Sequence, residues 1–355
     1  MNLRVNFEML NCTQEILFGY EEIKQARYIT LEEQKEFVDF LENVGIPSDR
    51  LDWCASEYAK FKCSSGAQHS TKTNYLLCGN RGKCPRCSMA YASSKSNETY
   101  QSIKRNISDR VDFDLKMNQI VLTLPESLHE LDEKVFSKMI IQFMKELDIQ
   151  AYLKVIQTRH SSDPLAKPYH HAHILSLNFK EVNEKIERCD YFFDTNMMRD
   201  VWKSIIEKNT GISIEGNVNL FTEYCSVSRE KKRCIHLLKY VYRYSLEDLF
   251  KVQVRAKTPL YYVQKSHSNG LRDKVLSLIQ EKKPPVTWCG LMAPTKQKQL
   301  QKMISDIGYR WQSLKEIRND LMVRANTCPD CGMPFSEKPF ETGLYQGDNE
   351  PEYPT

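Results

Sequence analysis

The sequence lacks the features that mark a membrane protein, a secreted protein or a nucleotide-driven motor. No stretch approaches about 20 consecutive apolar residues, and the mean hydropathy is −0.54, so no membrane-spanning helix is expected. The N-terminal segment MNLRVNFE does not join a basic stretch to an apolar one, which predicts a cytoplasmic chain. A Gly-x-x-x-x-Gly-Lys phosphate loop is also missing, so no nucleotide-hydrolysing motor is expected.

Length and composition fit a folded chain of two or three domains. The chain has 355 residues, of which 41% are hydrophobic and 27% are charged, so a packed core is expected. Strand-like and helical patterns alternate along it, which predicts an α+β fold. The expected parts are a helical N-terminal region (1–50), a cysteine-rich module (51–110), a strand-containing domain (111–265), a helical C-terminal region (266–335) and a disordered tail (336–355).

Net charge is only +4, but the cations are concentrated in two blocks. Residues 51–110 hold 10 Lys or Arg against 4 Asp or Glu, and residues 225–275 hold 12 against 4. Neutralising phosphates requires clustered cations, so both blocks are candidate contacts with a polyanion. A solvated lysine surface is the alternative interpretation. The candidate DNA-binding residues are Arg81, Lys83, Arg86, Lys231, Lys232, Arg233 and Lys239.

The first cysteine cluster is the strongest local signal. Cys84-Pro85-Arg86-Cys87 is a Cys-x-x-Cys knuckle, and structural zinc takes four ligands in a tetrahedron at about 2.3 Å. Cys78 is the expected third ligand and Cys63 the preferred fourth, with His69 and Cys54 as competitors. Unrelated thiols and a redox Cys-x-x-Cys are the alternatives, although no thioredoxin-like strand and helix precede the motif.

A second pair, Cys328 and Cys331, supplies half of a possible second zinc site. Cys289 is a candidate third ligand, and no fourth ligand is apparent from the sequence.

A strand containing three histidines predicts a second kind of metal site. Side chains alternate along a strand, so His171 and His173 share one face while His170 faces solvent. If the strands near 152–158 and 170–179 pair antiparallel, Gln157 lies beside the histidines. Two imidazoles and an amide oxygen leave open positions that suit Mg²⁺ or Mn²⁺ holding a phosphate oxygen. A surface coincidence is the alternative.

A basic helix predicted over about 232–250 carries several tyrosines. At a spacing of four residues Tyr240 and Tyr244 would lie on one face, while Tyr242 would turn towards the core. Lys239 and Arg243 would supply cations beside the phenols. A tyrosine hydroxyl becomes a useful nucleophile when a metal polarises the phosphate that it attacks. An aromatic face buried in the core is the alternative.

The histidine strand and the tyrosine helix, preceded by the strand at 121–124, resemble the HUH endonuclease superfamily. The similarity is to rolling-circle replication initiators of plasmids and viruses, and it spans about 112–250. The resemblance implies an antiparallel sheet (HUH/RRM-like palm) with flanking helices. It implies that a tyrosine cleaves single-stranded origin DNA, leaving a 5′-phosphotyrosyl link and a 3′-hydroxyl that primes replication. The cysteine segment also looks like the one that precedes this domain in some plasmid initiators and related transposases.

The resemblance assigns roles residue by residue. His171 and His173 match the metal-binding histidines, and Gln157 falls where a third ligand for Mg²⁺ or Mn²⁺ is expected. Tyr244 matches the nucleophile that follows a basic residue, here Arg243, and Tyr240 matches the second tyrosine. Zn²⁺ would be structural. A host helicase and polymerase are the expected partners, in a prokaryotic plasmid or virus context. A two-tyrosine single-strand transposase and a non-catalytic zinc-dependent DNA-binding regulator are the alternatives.

Overall fold

The computed structural model describes residues 29–48, 51, 54–160, 164–165, 169–189, 194–216, 218–255, 268–281 and 285–344. Its helices are α1 (Leu31–Asn43), α2 (Pro85–Ile103), α3 (Glu133–Glu146), α4 (Thr195–Thr210), α5 (Lys231–Tyr242), α6 (Ser245–Phe250), α7 (Ser268–Gln280), α8 (Gln297–Asp306) and α9 (Leu314–Ala325). Its strands are β1 (Glu57–Phe61), β2 (Lys72–Tyr75), β3 (Lys116–Thr123), β4 (Ala151–Gln157), β5 (His171–Leu177), β6 (Phe179–Val182), β7 (Lys185–Arg188), β8 (Leu220–Ser226), β9 (Thr287–Gly290) and β10 (Glu341–Leu344).

The predicted α+β class, with antiparallel sheets and flanking helices, is confirmed. The chain forms two compact units. One takes its described residues from Met1–Ser94, Leu246–Glu281 and Lys315–Thr355, and the other from Lys95–Ser245 and Lys282–Leu314. The cysteine-rich segment as far as Ser94 and the described C-terminal residues from Lys315 therefore belong to the same unit. Among the described helices, none is both long enough and apolar enough to cross a membrane.

The second unit is built on a five-stranded antiparallel sheet in the order β8-β3-β5-β4-β9. Strands β4 and β5 are buried along their whole length, so both faces of the sheet centre are covered. One face carries Ala172 and Ile174 and packs in a core with Phe136 of α3 and Trp202 of α4. Burial of such side chains contributes about 1.5–3 kcal/mol each. Helix α5 contacts β5 and β8.

The first unit contains helix α1 and a three-stranded sheet in the order β10-β1-β2. Thr30 caps α1 in a capping box with Glu33, as the sequence predicts. The tail that was predicted to be disordered from 336 is instead ordered at its start, because Glu341–Leu344 pairs with β1. Residues 345–355 lie outside the described residues, as do residues 1–28 of the predicted N-terminal helical region.

The predicted helix over 232–250 is wrong in its second half. Helix α5 ends at Tyr242 because Arg243 is extended, with φ −71° and ψ 157°, and α6 begins at Ser245. A helix-start pattern, Ser245-x-x-Asp248, lies inside the predicted helix and marks this break. Tyr240 and Tyr244 are therefore not stacked one turn apart on a single helix.

Candidate functional site

The two histidines of β5 lie on the same face of the sheet, as the alternation of a strand predicts. Their ring centroids are 5.1 Å apart, and each side chain is only 6% exposed. Ala172 between them points to the opposite face, into the apolar core. The neighbouring strand β4 is antiparallel and places Gln157 directly across from His171. The predicted proximity of Gln157 to the histidines is confirmed.

The amide of Gln157 has one orientation that satisfies both of its ends. Its Nε2 donates a hydrogen bond to the backbone carbonyl of Tyr240 at 3.0 Å. Its Oε1 then faces Nε2 of His171 at 3.1 Å. Exchanging the two atoms would bring an amide oxygen against a carbonyl oxygen, so the hydrogen-bond network itself assigns the amide.

His171 has an oxygen beside each of its two ring nitrogens. Nδ1 lies 3.2 Å from the carbonyl of Tyr169, and Nε2 lies 3.1 Å from Oε1 of Gln157. Burial lowers the pKa of His171 to about 4, so at neutral pH the ring carries a single N–H. With that proton on Nδ1, donated to Tyr169, a lone pair of Nε2 faces a lone pair of Gln157.

His173 has an unpartnered nitrogen in the same place. Its Nδ1 lies 3.2 Å from the side-chain amide of Gln119, whereas no polar atom of the described residues bonds to its buried Nε2. Burial holds the pKa of His173 well below its usual range, so this imidazole is neutral as well. Buried polar atoms are rarely left unpaired, so this one points to a missing partner.

Gln157, His171 and His173 are residue types that could hold a divalent cation. Neighbouring ligands of an octahedral ion at about 2.1 Å lie about 3.0 Å apart, close to the observed separation of Gln157 Oε1 and His171 Nε2. A cation would satisfy both lone pairs and the orphaned nitrogen of His173. Neutral imidazole nitrogens and amide oxygens are the forms in which these side chains bind metals.

The fold brings Tyr240 to the imidazoles. Its ring stacks on His173, with centroids 5.6 Å apart and planes inclined by 23°. The Arg243 guanidinium lies 4.9 Å from the same ring, and His236 meets it edge to face at 5.2 Å. Tyr242 is buried and its hydroxyl lies 2.7 Å from that of Thr99, in line with its predicted inward direction.

Sequence reasoning missed two members of this cluster. Gln119 is an amide inside a buried strand, at a position where apolar residues are the rule, and it touches His173. His236 precedes Tyr240 by one helical turn, a spacing that puts both rings on one face. Both the buried amide and the helical spacing can be found in the sequence if the search begins from the histidine strand.

The first thiol cluster consists of Cys54, Cys78, Cys84 and Cys87, whose sulfur atoms all lie within 4.8 Å of one another. The preferred fourth ligand, Cys63, was wrong, and the competitor Cys54 takes its place. Sγ of Cys87 lies 3.6 Å from that of Cys54 and 3.5 Å from that of Cys78. Hydrogen bonds from neighbouring thiols hold the pKa of Cys78 well below its usual range, so the cluster readily supplies a thiolate.

Cys63 belongs to a second cluster, with His69, Cys328 and Cys331. Sγ of Cys63 lies 3.3 Å from that of Cys331, although the two residues are 268 positions apart in the chain. Gly332, at φ 73°, donates to the carbonyl of Cys328 at 2.9 Å and turns the chain around the Cys-x-x-Cys pair. The suggested third ligand Cys289 is wrong, since it lies in β9 of the other unit. Each cluster can hold a metal ion such as zinc.

The predicted DNA-binding cations differ in exposure. The prediction that Arg86 contacts DNA is wrong. Arg86 is 3% exposed, and its guanidinium donates to the backbone carbonyls of Ile29 and Cys54. Arg81 and Lys83 are partly exposed, and Arg81 lies 4.6 Å from the ring of Tyr91.

The cations of α5 occupy its first turn and its last. Lys231, Lys232 and Arg233 are exposed in the first turn, where they add to the positive end of the helix dipole. Arg233 pairs with Glu223 and Glu230 at 2.8 and 3.1 Å. Lys239 is partly exposed in the last turn.

Comparisons of this chain with protein-family models, with curated proteins and with solved structures returned no match.

Proposed function

We propose that the second unit is an HUH-type nuclease that cleaves and rejoins single-stranded DNA through a tyrosine. The observation that carries the proposal is the stacking of Tyr240 on His173, beside the converging donor atoms of Gln157 and His171. The five-stranded antiparallel sheet with helices packed on it agrees with the fold that the resemblance implies. The initiation of rolling-circle replication is the biological role that fits this chemistry, with a cytoplasmic setting in a plasmid or a virus.

His171, His173 and Gln157 would hold Mg²⁺ or Mn²⁺ through Nε2, Nε2 and Oε1. The bound ion supplies charge neutralisation at a non-bridging oxygen of the scissile phosphate. The low pKa of His171, about 4, keeps its nitrogen available at neutral pH. With the Gln119 amide turned so that its oxygen accepts from Nδ1–H of His173, Nε2 would be left for the ion, and such an outer partner orients metal-binding imidazoles in general.

Tyr240 is the nucleophile that the geometry favours, which revises the assignment of Tyr244 made from sequence. Its phenolic oxygen would attack phosphorus and lose its proton, while the P–O3′ bond breaks and the 3′ oxygen leaves as a hydroxyl. Because a phosphodiester is exchanged for another phosphate ester, no nucleoside triphosphate is consumed. Arg243, 4.9 Å from the ring of Tyr240, would stabilise the phenolate and the charged transition state.

Tyr244 is assigned to the second transfer, which rejoins the DNA. It follows the extended Arg243, beyond the end of α5. Zn²⁺ would be structural in both thiol clusters of the first unit, and exposed cations such as Arg81, Lys83, Lys231 and Lys232 would hold the DNA strand. A host helicase and polymerase would be borrowed.

The test is a covalent adduct formed with single-stranded origin DNA and Mn²⁺. We expect a protein–DNA band that survives denaturation, with the 5′-phosphate mapped by mass spectrometry to Tyr240. Tyr240→Phe should remove the first adduct, while Tyr244→Phe should retain it and lose rejoining. His171→Ala and His173→Ala should abolish cleavage but keep DNA binding.

Two outcomes would contradict these assignments. An adduct on Tyr244 in the wild type would restore the sequence-based nucleophile. DNA binding without any adduct would favour the zinc-dependent regulator, while an adduct formed only on transposon ends would favour the transposase.

A further inference from the structure

The two polar ends of the Gln157 side chain contact two different elements of the fold. Gln157 is the last residue of β4 and is 8% exposed. One end, Oε1, faces His171 at 3.1 Å, and the other, Nε2, donates to the carbonyl of Tyr240 at 3.0 Å. The same side chain therefore touches one of the two imidazoles and the backbone of Tyr240, whose ring stacks on the other imidazole.

The carbonyl of Tyr240 needs such a partner. The last four carbonyls of an α-helix have no intrahelical N–H to accept from, and α5 ends at Tyr242. The N–H of Arg243 is already donated to Lys239, and Arg243 then turns into an extended conformation. Gln157 thus caps the C-terminal turn of α5 from a neighbouring strand.

We propose that Gln157 is a positioning residue that ties Tyr240 to the metal ligands, and that this is why the position holds an amide. The inference rests on the proposed function and deepens it. A carboxylate would bind a cation more strongly, but it has no proton to donate to the Tyr240 carbonyl and would oppose it with a lone pair. An amide supplies the acceptor and the donor in one rigid plane.

The hydrogen bond from Gln157 affects the alignment of Tyr240 more than the affinity of the site for its cation. A nucleophile must lie in line with the leaving oxygen, and a misplacement of about 1 Å can cost about 100-fold in rate. Stacking on His173 fixes the plane of the Tyr240 ring, but a stacked ring can still slide. The hydrogen bond from Gln157 fixes the backbone that carries the ring, and so fixes its position along the stack.

The experiment separates the two ends of the amide. Gln157→Glu keeps a ligand oxygen and loses the donor; Mn²⁺ keeps the carboxylate ionised. The matched control is Gln142→Glu on α3, where the side-chain oxygen only accepts from Asn209 and a carboxylate preserves that bond. Three readouts on the full chain are the Mn²⁺ dissociation constant by electron paramagnetic resonance, the nitration rate of Tyr240 with Mn²⁺ bound, and the rate of adduct formation.

For Gln157→Glu we expect Mn²⁺ binding to be as tight as in the wild type or tighter, nitration of Tyr240 to be faster, and the adduct to form roughly 100-fold more slowly. Gln142→Glu should match the wild type in all three. An unchanged adduct rate in Gln157→Glu would overturn the positioning role, and so would unchanged nitration. If the wild type forms no adduct at all, the nuclease assignment fails. The nitration rate of Tyr240 still tests the positioning role of Gln157, because nitration does not depend on cleavage.

Discussion

The thiol clusters of the first unit and the histidine strand of the second hold their ligands in different ways. Each thiol cluster collects residues from separate segments of the chain, such as Cys63 and Cys331. The side chains of the histidine site come from two adjacent antiparallel strands in strict register, with Gln157 opposite His171. Strands are held by the backbone hydrogen bonds of their sheet, whereas small thiol sites gain stability from the ion that they bind.

This difference predicts what the loss of a ligand does in each region. Removing a thiol should remove both the ion and part of the fold, since metal binding in small thiol sites is coupled to folding. Removing a histidine should remove the ion but leave the sheet, because its strands are stabilised by backbone hydrogen bonds and the core around Ile120 and Trp202. The following predictions test the contrast.

The largest effect is expected at the two thiol clusters. Cys54→Ser and Cys63→Ser should each remove one ion from the first unit, but different ones, because the two thiols lie in different clusters. Structural zinc binding is worth about 10 kcal/mol or more, so each variant should melt at a clearly lower temperature. Bound zinc is counted by elemental mass spectrometry.

The controls are Cys289→Ser, a thiol outside both clusters, and His173→Ala, which should keep both zinc ions. A Cys54→Ser variant that keeps both zinc ions, beside a Cys63→Ser variant that loses one, would restore the preferred ligand set that was predicted from sequence.

Smaller effects are expected for two arginines of the cysteine-rich segment. Arg86 has a structural role, and Arg81 is a proposed DNA contact. Arg86→Gln leaves the buried carbonyls of Ile29 and Cys54 without their partner, which should cost about 3 kcal/mol of unfolding free energy. Arg81→Gln should leave stability unchanged and reduce the salt dependence of single-strand binding by about 0.7 in the log–log slope. Denaturant unfolding and salt-titrated binding measure the two. Equal stability of both variants would contradict the burial of Arg86.

The smallest effect is the pH dependence of the histidine strand. The pKa of His171 falls to about 4 in the folded state, below its usual 6.5, so the unfolded chain takes up protons first as pH drops. Stability from the neutral ring is therefore complete above pH 6.5 and is lost as pH falls towards 4, by a few kcal/mol at most. Urea unfolding of protein free of Mg²⁺ and Mn²⁺ should show this decline.

The variant His171→Gln should reduce the decline between pH 6.5 and 4 without abolishing it, because burial also holds the pKa of His173 well below its usual range. The same slope in wild type and His171→Gln would mean that the buried imidazole does not titrate as described.

Local periodicity decided which side chains of the histidine strand share a face. Alternation fixed His171 and His173 on one side with Ala172 on the other, and the phase of the preceding strand placed Gln157 beside them. The spacing of Cys84 and Cys87 likewise predicted a Cys-x-x-Cys pair that could bind a metal ion. Such patterns are set by the backbone geometry of neighbouring residues, and for that reason they are legible in one sequence.

Only the tertiary structure decided which distant groups meet. Spacing favoured Cys63 over its competitor Cys54 as the fourth ligand, and the exchange of the two depends on how β1, β2 and the C-terminal segment fold together. Tyr240 reaches the histidine strand through the last turn of α5, where the Gln157 amide and the His173 ring contact it. Contacts between residues far apart in the chain leave no periodic pattern in the sequence, so they cannot be predicted from neighbouring residues.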